Sequence, residues 1–205
     1  MSEARGSVVE GIRARWSKGL LAWMEREGGI PVERALETLS PATRALVTES
    51  SAVAWLPLEA HFEMLAALEH GFGAAGFREA YTLASMHALA LPVFDGILAP
   101  LVRLMGARAL AHGLPPAWDQ SLRGLGSIEV PATATARLVE VRLVGVPELR
   151  RDGPLLRESM HGLLEAIRRR ASIEGTIAAD YADADEGTFR YELRLAPGAG
   201  EPHWL

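Results

Sequence analysis

Hydrophobic residues in this chain recur first at a helical period and, in the last third, at a strand period. Val9, Ile12, Trp16, Leu20 and Trp23 return every three or four residues, which puts them on one stripe of a helix that Gly28-Gly29 stops. A short helix follows over 31–39, with Val32, Ala35, Leu36 and Leu39 on its apolar side. Ser40-Pro41 supplies an N-cap and a first-turn proline for a third helix. Pro57 opens the next, which turns Leu58, Phe62, Leu65 and Leu68 inward and Glu59, Glu63 and His70 outward, and ends at Gly71 and Gly73. From Phe77 the period resumes through Tyr81, Ala84, Ala88 and Leu91 to Pro92. The segment 93–113 is helical and apolar around most of its girth, with Pro100 set to kink or split it.

Residues 114–132 follow neither period. Pro115-Pro116, Gly124, Gly126 and Pro131 mark a loosely structured connection that Trp118 pins to the body. Beyond it, Val139, Val141 and Leu143 alternate with Glu140 and Arg142, as in a strand with one dry and one wet face. Asp152 and Pro154 start a helix whose inward stripe is Leu156, Met160, Leu163 and Ile167. Arg168, Arg169 and Arg170 close it, where cations complement the helix dipole. Ile173, Ile177 and Tyr181 alternate again, and "DADEG" supplies a hairpin turn into a strand that alternates Phe189, Tyr191, Leu193 and Leu195 with Arg190, Glu192 and Arg194.

The pattern predicts an α+β fold, an N-terminal helical layer packed on a C-terminal antiparallel sheet that is built as a β-α-β-β unit. Neither part offers two buried layers alone, so 1–196 reads as one domain, with a helical part (1–113), a connection (114–132) and the β-α-β-β part (133–196). The segment 197–205 reads as a flexible tail.

Composition narrows the function. With 205 residues, 49% of them hydrophobic, the chain can build a substantial core. It has no cysteine, which excludes disulfides, thiolate metal sites and a cysteine nucleophile. A net charge of −5 argues against nucleic acid as a partner. Lys18 is the only lysine, and with its polar neighbours it makes a poor Schiff-base amine. No signal segment and no apolar run long enough to span a bilayer are visible, so the expectation is a cytoplasmic protein without a membrane span.

The candidate chemistry centres on two histidines. His61 lies near the Leu58, Phe62 and Leu65 stripe, and His87 near the face formed by Phe77, Tyr81, Ala84 and Leu91. If those helices pack together, both imidazoles meet Trp55 and Tyr81 around an internal cavity fit for a small ligand. The plain alternative is a pair of hydrogen-bonded core histidines. The metal signal is weak: His61 and Glu63 are two apart, and no His-Glu-x-x-His run exists. His161, between Glu158 and Glu165 at helical spacing, reads as part of a solvated, paired face. Asp180, Asp183 and Asp185 read as an acidic hairpin turn, since the rest of a calcium loop is missing. "GFGAAG" has glycine-loop spacing but follows a helix instead of a strand, and Ser159 lacks a nucleophile elbow.

The order of these features, with "FREAY" and "PLVRLMG" in the helical half, a strand ending "LVGVP", then "GPLLRESMHGLLEAIRRR" and a hairpin ending "FRYELRL", resembles a paralogous family of uncharacterised myxobacterial proteins of about this length. The layout also resembles the helix-plus-antiparallel-sheet ligand-binding domains of the 4-vinyl reductase and haem nitric-oxide-binding group. That resemblance implies a fold and no transferable site residue, because the haem-binding group's Tyr-x-Ser-x-Arg signature is absent.

The resulting expectation is a non-enzymatic regulatory or sensory domain that binds a small apolar ligand or a protein partner and acts as a homodimer. The expected ligand-binding residues are Trp55, His61, Phe62, Tyr81 and His87, with no catalytic and no metal-ligating residue and no cofactor identified. Two alternatives stay open: an enzyme using histidine and carboxylate as general acid and base in an inter-helix cleft, and a structural interaction module docking through Arg190, Glu192 and Arg194.

Overall fold

The computed structural model describes residues 10–27, 29–90, 107–131, 137–151 and 153–196, with the backbone alone for 107–111. The predicted segment around Pro100 and the tail lie outside the described residues, as does Val9.

The first element is a strand where a helix is expected. β1 (Gly11–Arg13) pairs antiparallel with β2 (Trp55–Pro57) and with β3 (Leu122–Arg123), in a three-stranded sheet of order β2-β1-β3. Strands this short carry too few alternations to register as a period. Helices α1 (Ala14–Glu27), α2 (Ile30–Thr38) and α3 (Pro41–Glu49) then follow the predicted stripes. The Ser40 hydroxyl caps α3 by accepting the Thr43 N–H at 3.2 Å, as its position before Pro41 implies.

The break expected at Gly71 and Gly73 falls at Gly73, where φ is 71° and ψ 162°, so that α4 (Leu58–Ala88) is two helical segments joined across a kink. Gly71 serves packing instead of termination: a Cβ there would lie 2.1 Å from the Pro31 carbonyl oxygen, so only glycine lets α2 cross α4 this closely.

The predicted connection over 114–132 is largely ordered. Helix α5 (Ala107–Ser121) carries Pro115 and Pro116 inside it, and β3 and β4 (Ser127–Glu129) follow. The prolines remove ladder hydrogen bonds, but Leu114 packs against the core, and Trp118 is buried and donates Nε1–H to the Gly126 carbonyl at 3.1 Å. Tertiary burial therefore outweighs local propensity here.

The C-terminal unit matches the alternation: β5 (Leu138–Val144), α6 (Pro154–Arg170), β6 (Gly175–Asp180) and β7 (Phe189–Leu195). The sheet is antiparallel in the order β4-β5-β7-β6, with Val141 opposite Tyr191 and Ile177 opposite Leu193. Val139, Val141, Leu143, Phe189, Tyr191 and Leu193 are fully buried on its inner face. At roughly 1.5–3 kcal/mol for each large side chain, this face is a main source of stability. The outer face carries the local pairs Glu140–Arg142 and Glu192–Arg194, which contribute little.

Helix α6 meets the inner face directly. Tyr191 donates its hydroxyl to the Arg157 carbonyl at 3.0 Å, and His161 stands edge-on to the Tyr191 ring. Helix α4 packs on α6, and α1 and α2 pack on α4. Gly162 makes the α4–α6 crossing tight, since a Cβ there would touch the Arg78 carbonyl and Thr82 within 3.2 Å. The fold is thus α+β, with the helical layer lying over the antiparallel sheet through α6.

Candidate functional site

Where α1, α4, α5 and α6 converge beside β4, the helices leave a cavity of about 410 Å³. Helix α1 contributes Arg15 and Trp16; α4 contributes His61, Phe62 and Leu65 before its kink and Tyr81 after it. Leu114 and Trp118 come from α5, Ile128 from β4, and Leu156, Met160 and Leu163 from α6. The wall is predominantly apolar, as amphipathic faces that meet without filling the space between them produce.

His61 is the one imidazole among the described residues of this wall. It is 5% exposed, and Nδ1 lies 3.0 Å from the Oγ of Ser17 on α1. Burial pushes its pKa down to about 4, so the ring is neutral near neutral pH. Among the described residues nothing else hydrogen-bonds either side chain. Ser17 is fully buried, and its hydroxyl hydrogen has Nδ1 as its one acceptor. That accounting makes Nδ1 the acceptor and assigns the ring proton to Nε2.

Of the other polar groups of the described wall, Ser159, Ser121 and Trp118 have hydrogen-bond partners, whereas the Nε1–H of Trp16 is buried without one. Burial raises the Tyr81 hydroxyl to about 12. Ser159 donates to the Leu156 carbonyl at 3.0 Å. Arg15 is exposed at the rim and donates to Ser121 Oγ at 3.0 Å.

Of the residues singled out from the sequence, His61, Phe62 and Tyr81 come together here, while Trp55 and His87 lie outside the lining. Trp55 is on a strand, with the guanidinium groups of Arg13 and Arg123 stacked on its ring at 4.0 and 3.9 Å, where it braces the small sheet. His87 follows Tyr81 by six residues, about 120° away around a helix. It sits instead in a surface hollow with Trp23, Arg26 and Arg170. Its pKa is lowered, first by burial and then by Arg26.

His161 also departs from its expected solvated face. It is 9% exposed, and its Nδ1 has no hydrogen-bond partner. Glu158 reaches sideways to Arg78, and Glu165 to Arg168 and Arg169, so the flanking carboxylates leave the imidazole to the core. Sequence reasoning did not find Ser17, which follows Trp16 on α1; its one signal was a serine beside an apolar stripe. Trp16, Trp118, Met160 and Leu163 were assigned to packing, and they also line the cavity.

Among the described residues no group of three histidine, aspartate or glutamate side chains is placed to hold a metal ion. The acidic turn is engaged internally: Asp183 pairs with Arg190, and Asp180 accepts the Ala182 N–H at 2.9 Å. No helix among the described residues is long and apolar enough to cross a membrane.

A helical layer over a four-stranded antiparallel sheet, with a cavity among the helices, defines an α+β domain. Solved H-NOX domains share this fold. The Fe(II) unliganded H-NOX protein from K. algicida superposes with a TM-score of 0.60 at 10% identity, over 95% of this chain and 99% of that one. An oxygen-binding H-NOX domain related to soluble guanylate cyclases gives 0.59 at 9% identity, over 95% of this chain and 100% of its own. An H-NOX structure used to probe haem distortion gives 0.57 at 8% identity, over 95% and 98%. No family model and no curated protein matches the sequence. At this identity the likeness shows the fold alone.

Proposed function

We propose that this chain is a non-enzymatic sensory or regulatory domain that takes a small apolar ligand into the cavity between α1, α4, α5 and α6. The observation that carries the reading is the cavity itself, about 410 Å³ behind a predominantly apolar described wall that holds one neutral imidazole. Its size falls within the roughly 300–1,000 Å³ typical of small-molecule sites. The H-NOX neighbours, one of them described as oxygen-binding, support a sensory role. In this reading the domain acts in the cytoplasm as a homodimer that signals occupancy to a protein partner. General acid–base catalysis is disfavoured, because among the described residues no carboxylate joins His61 in the lining.

Haem is the group the fold implies, and among the described lining residues His61 is the imidazole that could hold it. Haem iron takes an imidazole, thiolate, thioether or phenolate ligand. The chain has no cysteine, and burial keeps Tyr81 protonated. A neutral imidazole can carry its proton on either nitrogen, so His61, with Nδ1–H donating to Ser17 Oγ, would offer Nε2 to iron. Met160 adds a lone thioether, and Arg15, the one cation of the described lining, is already bonded to Ser121.

Titration with the apolar fluorophore N-phenyl-1-naphthylamine tests the reading. Gly113 lines the cavity, and a Cβ there meets nothing within 4 Å, so Gly113→Phe fills space without a clash at Cβ. The fluorophore should bind the wild-type protein and bind Gly113→Phe at least about tenfold more weakly. Equal binding to both would place it elsewhere.

A further inference from the structure

We infer that the cavity selects an uncharged, mostly apolar molecule bearing a carbonyl-type hydrogen-bond acceptor, which pairs with Nε2–H of His61; this rests on the ligand-binding reading above. The argument is a count of donors and acceptors around the wall. Ser159 has the Leu156 carbonyl, Ser121 has Arg15, and Trp118 has the Gly126 carbonyl. His61 lines the cavity with an Nε2 that no described residue engages, and Ser17 makes that nitrogen a donor. Trp16, in the same wall, has its Nε1–H buried without an acceptor. The wall is therefore short of acceptors and not of donors.

An unpaired donor in a dry site is costly, and a ligand that brings the missing acceptor recovers that cost, whereas a pure hydrocarbon cannot. Charge works against other ligands. The one cation in the described lining is at the rim and engaged, so a carboxylate held beside His61 would lose its water without gaining a counter-ion. No carboxylate lines the described wall to receive a cation.

The test compares two ligands of one shape, 2-acetylnaphthalene and 2-isopropenylnaphthalene, which differ in C=O against C=CH₂. Their affinities are measured by calorimetry on the full chain and on the double variant Ser17→Ala/His61→Leu, which removes both partners and leaves no orphaned group. The preference for the ketone over the hydrocarbon should fall by about tenfold in the double variant, while hydrocarbon affinity stays within about threefold. If the preference is unchanged, or the wild-type protein shows none, the inference is overturned and the cavity reading stands. If neither ligand binds the wild-type protein, the cavity reading falls, and this inference with it. Imidazole ¹⁵N shifts give a readout independent of folding in the variant: the Nε2–H tautomer is expected for His61, and Nδ1–H would overturn the assignment.

Discussion

Ser17 on α1 and His61 on α4 are joined by a 3.0 Å hydrogen bond between Oγ and Nδ1, and both side chains are buried. The bond ties α1 to α4 and orients the imidazole against the cavity. Its consequences extend from ligand chemistry to stability.

Stability should fall on acidification through His61. Its folded pKa, about 4, lies below the ordinary value of 6.5, so the unfolded chain binds the proton first as pH drops. The stabilisation is complete above 6.5 and is lost progressively as pH falls toward 4. Between pH 7.5 and pH 5 this amounts to about 2 kcal/mol. His87 and His161, also shifted downward, act in the same direction. Urea unfolding of His61→Gln should show a pH dependence smaller by about that amount; an unchanged slope would remove His61 from the account.

Two glycines should respond in opposite ways to alanine. Gly113 is in α5 with open space around its Cβ position, so Gly113→Ala should stabilise by up to about 1 kcal/mol. Gly71→Ala drives a Cβ into the Pro31 carbonyl and the Ala35 methyl group and should cost roughly 1–3 kcal/mol. Chemical denaturation of the two variants checks both signs.

Trp55 should matter for stability and not for ligand affinity. Replacing it with leucine removes the stacking of Arg13 and Arg123, at a cost of about 1–2 kcal/mol for two partly exposed cation–π contacts. The affinity for N-phenyl-1-naphthylamine should stay within about twofold of the wild-type value. A large loss of affinity in a folded Trp55→Leu protein would return this residue to the binding site.

The C-terminal sheet was legible because β5 and β7 are long enough to show alternation, and each has one dry face, with Val141 and Tyr191 facing one another across the pair. The three-stranded sheet was not, since Gly11, Leu56 and Leu122 belong to strands of two or three residues whose pairing spans the chain. Pro115-Pro116 pointed to a loop because local propensity cannot register the burial of Trp118. At the site, Phe62 and Tyr81 could be read from helical stripes, whereas the bond from Ser17 to His61 depends on how two helices pack. His161 looked solvated because its charged neighbours were expected to shield it, but they turn to arginines on either side.

A crystal structure of the protein soaked with 2-isopropenylnaphthalene tests the central claim most directly. The account predicts the hydrocarbon between α4 and α6, in contact with Phe62, Leu65 and Leu163 and beside the imidazole of His61. A cavity closed by its own side chains, with the hydrocarbon elsewhere or absent, would contradict it.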